Sequence, residues 1–275
     1  MFTFLAVLAL FLWGTERFLL AGAAFGLAAL TRPVMLPFMI FIALLPVLRP
    51  WRRHLRAHFV MVIVALAIAS IWIVRNAAVF GEFVPVASNG GINLLSGTLE
   101  TDIGGHLWDG TAWVTPNFDT HPATRVDDTI DEIEIDKIRT SRSLTRIADD
   151  PKAWLKARVE QYPKLFIDNG DYLLGDLNLP LKEAIFARRW TVIFTKTLFI
   201  GGNLLIMLLA AFGLWSLRST LVDIGHIFLF PIFGVLFYLP MWIEPRYLLP
   251  MMPMILILAA VGARRLQGSK YFNKP

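Results

Sequence analysis

The sequence predicts an all-α integral membrane protein with about seven transmembrane helices, the first of them incomplete, and one large extracytoplasmic loop that contains amphipathic helices. Two observations lead to this prediction. The 275 residues are 56% hydrophobic with a mean hydropathy of +0.59, too apolar for a soluble domain, and the apolar residues are gathered in blocks. The acidic residues are gathered in one polar segment, since residues 76–183 hold 18 of the 21 Asp and Glu.

This uneven charge orients the chain in a membrane. Residues 76–183 have a net charge of about −8, and the remainder has about +13, so the overall +5 hides two regions of opposite sign. Because basic residues concentrate in cytoplasmic loops, the acidic segment is expected outside. The basic residues lie beside apolar runs, which favours membrane lipids rather than nucleic acid as partners. The chain has no cysteine, so disulfides and thiol chemistry are excluded.

The first 75 residues are predicted to form transmembrane helices 1–4. The first run is shorter than the about 20 residues that a span needs, so it is expected to be incomplete. Pro33, which lacks an amide proton, ends the second run. Four arginines between residues 49 and 56 place the loop after the third run in the cytoplasm. The apolar runs are residues 1–14, 18–30, 34–48 and 58–74.

Residues 76–187 are predicted to form the extracytoplasmic region. Residues 83–87 resemble a short strand, and residues 89–91, Asn-Gly-Gly, predict a turn with positive φ. A helical pattern begins at Asp127 and ends before Pro151, and a second amphipathic helix covers residues 152–167. The charges of both helices are interpreted as solvated faces, on the membrane surface or against the bundle.

Three further apolar runs predict transmembrane helices 5–7 within residues 188–263. The runs are 190–215, 221–241 and 247–261, and a basic cytoplasmic tail follows at residues 264–275. The alternation of sides then agrees with the sign of every short loop. The prediction is therefore a multi-pass protein of the plasma membrane, in a bacterium the inner membrane.

Five arginines fall at the predicted outer border, where the sign rule does not expect them. Each one alone is explained by a snorkelling side chain that anchors a helix end. Together they fit a phosphate, because the planar guanidinium binds phosphate oxygens through paired hydrogen bonds. A polyprenyl phosphate would reach this depth with its phosphate at the surface. The arginines are Arg32, Arg75, Arg188, Arg189 and Arg246.

Two further charges lie near the last predicted spans. Lys196 lies within an apolar run, where an ammonium group must pair or snorkel outward. Glu244 is close to Arg246 in a short outer loop, so it forms a local ion pair or contacts phosphate or acceptor. His106 and His121 lack the spacing of a metal-binding motif, and no metal site is predicted.

An ordered set of short motifs runs along the chain. These are residues 28–33 (AALTRP), 72–76 (WIVRN), 88–94 (SNGGINL), 150–155 (DPKAWL) and 246–250 (RYLLP). With these motifs the chain resembles the second half of polyprenyl-phosphate-dependent GT-C glycosyltransferases, which are related to protein O-mannosyltransferases and to the aminoarabinose transferase of lipid A. The resemblance covers most of residues 18–263.

The resemblance implies transfer of a sugar from a polyprenyl-phosphate donor to a lipid, glycan or protein acceptor on the outer face. It implies donor phosphate contacts from Arg75 and Arg246, supported by Arg32, Lys196 and Asn76, and it leaves a divalent metal open as a cofactor. In the family a catalytic carboxylate lies in the first outer loop. The first carboxylate here is Glu16, predicted cytoplasmic, so no catalytic residue is assigned and we expect a C-terminal portion of a longer enzyme.

Two other classes compete with this interpretation. A transporter or flippase for a lipid-linked sugar would also use outer arginines, but it should show inverted repeats with broken helices, and no such internal symmetry is visible. A noncatalytic membrane scaffold explains the missing carboxylate. It leaves the ordered motifs and the outer arginines without a reason.

Overall fold

The computed structural model describes residues 1–44, 55–84, 86–103, 107–108, 113–114, 130–166, 181–219, 221–241, 243 and 245–268. Within these ranges almost all regular structure is helical. The exception is an antiparallel pair of two-residue strands, β1 (Leu107–Trp108) and β2 (Trp113–Val114). The helices are α1 (Phe2–Gly14), α2 (Phe18–Thr31), α3 (Met35–Leu44), α4 (Leu55–Phe80), α5 (Gly90–Ile103), α6 (Glu132–Asp149), α7 (Pro151–Gln161), α8 (Leu181–Phe186), α9 (Trp190–Ser216), α10 (Leu221–Phe237) and α11 (Met252–Leu266).

Three helical segments of the described chain are long and apolar enough to cross a membrane. They are α4 with 26 residues, α9 with 27 and the segment Leu249–Leu266 with 18. Shorter apolar helices are α1, α2, α3 and Phe228–Phe237. The predicted all-helical class is confirmed, with three helices that could span a membrane. The count of seven crossings and the outer position of residues 76–187 stay predictions.

Aromatic side chains join the first and last parts of the chain in one core. Phe38 of α3 lies 5.2 Å, ring centroid to centroid, from both Phe230 and Phe233 of α10. Phe25 of α2 packs against Phe38 at 6.0 Å. Helices α1–α4 form one contacting group and α9–α11 form another. Helix α1 contacts both α2 and α10, so it joins the two groups. The ends of α2 and α10 are thereby held close to each other.

Two helix pairs pack with their backbones in contact, at glycines. Gly26 of α2 faces α4, and a Cβ there would lie 2.8 Å from the Ala65 carbonyl oxygen. Gly213 of α9 and Gly262 of α11 face each other, and a Cβ on either would lie 3.1 Å from the backbone nitrogen of the other. Small residues permit this approach in membrane helices, where van der Waals packing drives association.

The predicted positive-φ turn at residues 89–91 is wrong, because Gly90 and Gly91 begin α5. Among the described residues between α4 and α5, the one with positive φ is Gly81, at +70°, directly after α4. Gly91 is required instead for close packing, since a Cβ there would overlap the backbone carbonyl oxygen of Asp136 in α6. The predicted strand at 83–87 is also absent among its described residues 83, 84, 86 and 87.

Helices are present at both places where amphipathic helices were predicted, with shifted ends, but Leu155 and Val159 on the predicted apolar face of α7 are exposed. Helix α6 begins after Asp131, whose carboxylate accepts a hydrogen bond from the Ile133 amide at 3.3 Å, whereas the predicted start at Asp127 lies outside the described residues. Asp150 separates α6 from α7 and accepts from the Ala153 amide at 2.9 Å. The α-helical part of α7 ends at Gln161, and Pro163 follows within a 3₁₀ turn.

Candidate functional site

A cavity of about 350 Å³ opens where the end of α2, the start of α5 and the chain between α10 and α11 meet. Pro33 ends α2 there, and Arg32 takes an extended conformation that leads its side chain away from the helix. We call this cavity the arginine pocket. It is lined by Arg32, Pro33, Val34, Asn89, Gly90, Asn93, Phe237, Tyr238, Met241, Arg246 and Tyr247.

Two guanidiniums share the arginine pocket with a pair of tyrosines. Arg32 is half-buried and shares the pocket wall with Tyr238, whose ring stacks on Tyr247 at 4.5 Å with an interplanar angle of 5°. Arg246 is exposed, and its guanidinium carbon lies 5.7 Å from the Tyr247 ring centroid. No acidic residue lines the pocket among the described positions. The described lining therefore includes two guanidiniums, planar donors suited to phosphate or carboxylate oxygens.

The start of α5 forms a polar wall of this pocket. Asn93 donates from its side chain to the Asn89 carbonyl at 2.8 Å, which fixes the amide beside the cavity. The Gly91 amide donates at 2.7 Å to the Asp136 carboxylate of α6. Burial raises the pKa of this Asp136 carboxyl, while the hydrogen bond from Gly91 and the nearby Arg139 oppose the shift. The Asp136 carboxylate of α6 thus caps the N-terminal end of α5. Its burial there removes hydration from the ionised carboxylate.

The Asp136 cap predicts opposite outcomes for two substitutions. Asp136→Ala is expected to destabilise the protein by about 1 kcal/mol, because the Gly91 amide loses its acceptor. Asp136→Asn keeps an acceptor oxygen and carries no charge. Because the folded-state pKa of Asp136 is raised, its ionisation costs stability as the pH rises from about 4 through the raised value. Asp136→Asn should therefore gain stability relative to the wild type over that window.

Thermal unfolding in detergent at several pH values checks both expectations. Glu160→Gln is a suitable control, since this exposed carboxylate on α7 makes only an exposed 3.8 Å ion pair with Lys156. A constant stability difference between Asp136→Asn and the wild type at all pH values would contradict the proposed cost of ionisation. An unchanged unfolding temperature for Asp136→Ala would contradict the capping role.

Arg75 and Asn76 do not line the arginine pocket. The Arg75 guanidinium lies over the Trp72 ring at 4.9 Å and donates to the Asn76 side-chain oxygen at 3.0 Å. Asn76 is buried, and its amide donates to the Val84 carbonyl at 3.1 Å. The structure thus gives Asn76 a local role, because it ties the end of α4 to the loop that follows.

The other predicted site residues are spread over different parts of the chain. Lys196 is buried in α9, one helical turn from Val192, which packs with Ala184 of α8, and it does not line the pocket. Arg188 and Arg189 are exposed at the junction of α8 and α9. Glu244 lies outside the described residues. Of the five predicted outer arginines, the structure brings only Arg32 and Arg246 into this cavity.

Arg158 is a residue whose role the sequence interpretation missed. The charges of α7 were predicted to be solvated, yet Arg158 is fully buried, with 0% of its surface exposed. Its Nη1 donates at 2.9 Å to the Met241 carbonyl, which belongs to the wall of the arginine pocket. One signal was present in the sequence: Arg158 falls four residues from both Trp154 and Tyr162, on the apolar side of the helix.

A second, apolar cavity of about 630 Å³ lies beside the arginine pocket. Leu239 lines this apolar cavity, whereas its neighbour Tyr238 lines the arginine pocket, so one turn borders both. The Tyr162 hydroxyl donates to the Val235 carbonyl and holds α7 against the end of α10. The lining residues are Val159, Tyr162, Pro163, Phe166, Leu204, Met207 and Leu239.

The described residues contain no group of three or more His, Asp or Glu side chains that would hold a metal ion. Comparison with protein-family models, with curated proteins and with solved structures finds no match for this chain.

Proposed function

We propose that the protein is a membrane glycosyltransferase that takes a sugar from a polyprenyl-phosphate donor and passes it to a lipid, glycan or protein acceptor on the extracytoplasmic face. One observation carries the proposal: Arg32 and Arg246, far apart in sequence, line one cavity that adjoins an apolar one. The proposed location is the inner membrane of a bacterium, which the chain crosses several times.

The arginine pocket would hold the phosphate of the donor. The two guanidiniums supply several N–H donors, and Tyr238 lines the same site. In the proposed reaction an acceptor oxygen or nitrogen bonds to the anomeric carbon, and its proton passes to solvent water. The bond from that carbon to the phosphate oxygen breaks, and the electron pair leaves with the phosphate. Arginines at that oxygen stabilise the charge that develops.

The apolar cavity would hold the first isoprene units of the donor. Its described lining is aliphatic or aromatic, apart from the Tyr162 hydroxyl that bonds to Val235. Leu204 and Met207 of its wall belong to α9, one of the helices long enough to span a membrane, so the cavity borders the region where lipid chains lie. A ligand that occupied both cavities would combine a phosphate with an isoprenoid chain.

The proposal predicts that the phosphate and the isoprenoid are both recognised. Purified protein in detergent should bind farnesyl phosphate, and farnesol should bind at least about tenfold more weakly, because it lacks the charge-assisted hydrogen bonds. Isothermal titration calorimetry measures both affinities. Dodecyl phosphate is the control for unspecific uptake of an anionic amphiphile into micelles, titrated also into protein-free detergent.

Equal affinities for farnesyl phosphate and farnesol would contradict phosphate recognition in the arginine pocket. Transfer is tested separately with a radiolabelled polyprenyl-phosphate sugar and membrane extract as the source of acceptor. Formation of a labelled product supports the glycosyltransferase, whereas binding followed by movement of intact donor across a vesicle membrane would favour a lipid-linked sugar flippase.

A further inference from the structure

Arg158 makes a long-range contact that the proposed phosphate site does not itself use. It is a fully buried charged side chain on α7, a helix of the polar segment, and its Nη1 donates at 2.9 Å to the Met241 carbonyl, 83 positions away. Burial of a guanidinium removes its hydration, so its hydrogen bonds must compensate. The buried Arg158 guanidinium therefore indicates that its hydrogen bond to the Met241 carbonyl has a specific role.

The Met241 carbonyl belongs to a turn, residues 238–241, that follows the end of α10 at Phe237. Within this turn the Met241 amide donates to the Tyr238 carbonyl at 3.1 Å, and the Leu239 amide donates to Leu236 at 3.2 Å. The Met241 carbonyl lies four residues beyond the end of α10, and Arg158 donates to it from another helix.

The same turn also packs against α5. A Cβ at Gly97 would lie 2.5 Å from the Pro240 carbonyl oxygen and 2.9 Å from the Met241 carbonyl carbon. The turn is therefore contacted both by the Arg158 guanidinium of α7 and by the Gly97 backbone of α5. Both helices belong to the polar segment, whereas the turn follows one of the apolar helices.

The turn places Tyr238 in the arginine pocket. Tyr238 lines the pocket together with Arg32 and stacks on the Tyr247 ring at 4.5 Å. We propose that Arg158 is a positioning residue of the arginine pocket: by holding the Met241 carbonyl, it fixes the turn that sets Tyr238 against Arg32. The identity of the ligand rests on the proposed function, whereas the positioning of Tyr238 does not.

The position of Tyr238 is measured directly by ¹⁹F NMR of the full chain labelled with 3-fluorotyrosine. The chain has five tyrosines, and the Tyr238 resonance is assigned from its loss in Tyr238→Phe. In Arg158→Met we expect the Tyr238 resonance to move, because the turn loses its donor while the side chain keeps a similar length. Lys156→Met is the matched control, since Lys156 is an exposed residue of the same helix.

A second variant tests the same turn without removing a charge. Gly97→Ala should also displace the Tyr238 resonance, because the added Cβ would push on Pro240. Affinity for farnesyl phosphate, measured by calorimetry, should fall about tenfold in Arg158→Met and remain within about twofold of the wild type in Lys156→Met.

Two results would overturn the inference: a Tyr238 resonance at its wild-type position in both Arg158→Met and Gly97→Ala, or an equal displacement in Lys156→Met. A displaced resonance with unchanged affinity would also overturn it, since the turn would then not serve the pocket. Failure of the wild type to bind farnesyl phosphate is a different result. It removes the proposed function, and the resonance alone then decides whether Arg158 positions Tyr238.

Discussion

Gly213→Ala is expected to destabilise the protein by about 3 kcal/mol, because α9 and α11 cannot both keep their present positions with a methyl group between them. The added Cβ would overlap the Leu258 carbonyl oxygen and would lie 3.1 Å from the backbone nitrogen of Gly262. The obstructing atoms are backbone atoms, so no side-chain rotation relieves the overlap. Unfolding of the purified protein with sodium dodecyl sulfate in mixed micelles, followed by circular dichroism, measures this loss.

Gly201→Ala in the same helix is the matched control for this effect. No atom lies within 4 Å of a Cβ added at Gly201, so the substitution meets open space. Alanine is also the better helix former, by about 1 kcal/mol, so a neutral or slightly stabilising effect is expected. A loss of less than about 1 kcal/mol in Gly213→Ala would mean that α9 and α11 pack less closely than the structure shows.

The packing of α9 on α11 also bears on the candidate site. Arg246 lies in the 3₁₀ turn Pro245–Tyr247, which precedes α11 by a few residues. Arg32 is reached from the other group of helices, at the end of α2. The arginine pocket therefore lies at a junction, and its two guanidiniums are brought together by the packing of distant parts of the chain.

Much of the fold could be predicted where a local chemical signal marks a boundary. Pro33 ends α2, and Asp150 with Pro151 separates α6 from α7, as the sequence predicts. The error at Gly90 and Gly91 has a different origin. Glycine there suggested a left-handed turn, whereas its lack of a side chain serves the contact with Asp136, and this contact depends on tertiary structure that no local pattern reports.

The site could be predicted only in part, for a geometric reason. Sequence position gives the depth of Arg32, Arg75 and Arg246 along their helices, and all three were placed at one border. The depth of a residue in the membrane does not determine which side of the helix bundle its side chain faces. Arg75 contacts Trp72 and Asn76 instead of the pocket. For Arg158, composition favoured an exposed charge, whereas the buried side chain donates to the carbonyl of Met241, a contact that depends on tertiary structure.

Removal of both pocket arginines is expected to abolish recognition of the phosphate. Arg32→Gln and Arg246→Gln should each weaken farnesyl phosphate binding by at least about tenfold, since a hydrogen bond to a charged group contributes about 1.5–3 kcal/mol. The double variant should bind farnesyl phosphate no better than farnesol. Glutamine retains polar atoms and length while it removes the charge, so the loss reports the guanidiniums. Calorimetry of the four proteins also gives the coupling between the two sites.

The affinity of Arg75→Gln for farnesyl phosphate distinguishes a phosphate site in the arginine pocket from one that includes Arg75, as the sequence predicted. All three arginines were expected to contact the donor phosphate, but Arg75 does not line the arginine pocket, so its substitution should change affinity by less than about threefold. Arg264→Gln, in the last turn of α11, controls for the loss of one positive charge. A loss in Arg75→Gln equal to that in Arg246→Gln would place the phosphate elsewhere. Strong coupling between Arg32 and Arg246 with none to Arg75 would require both guanidiniums to contact one phosphate, because independent sites give additive losses.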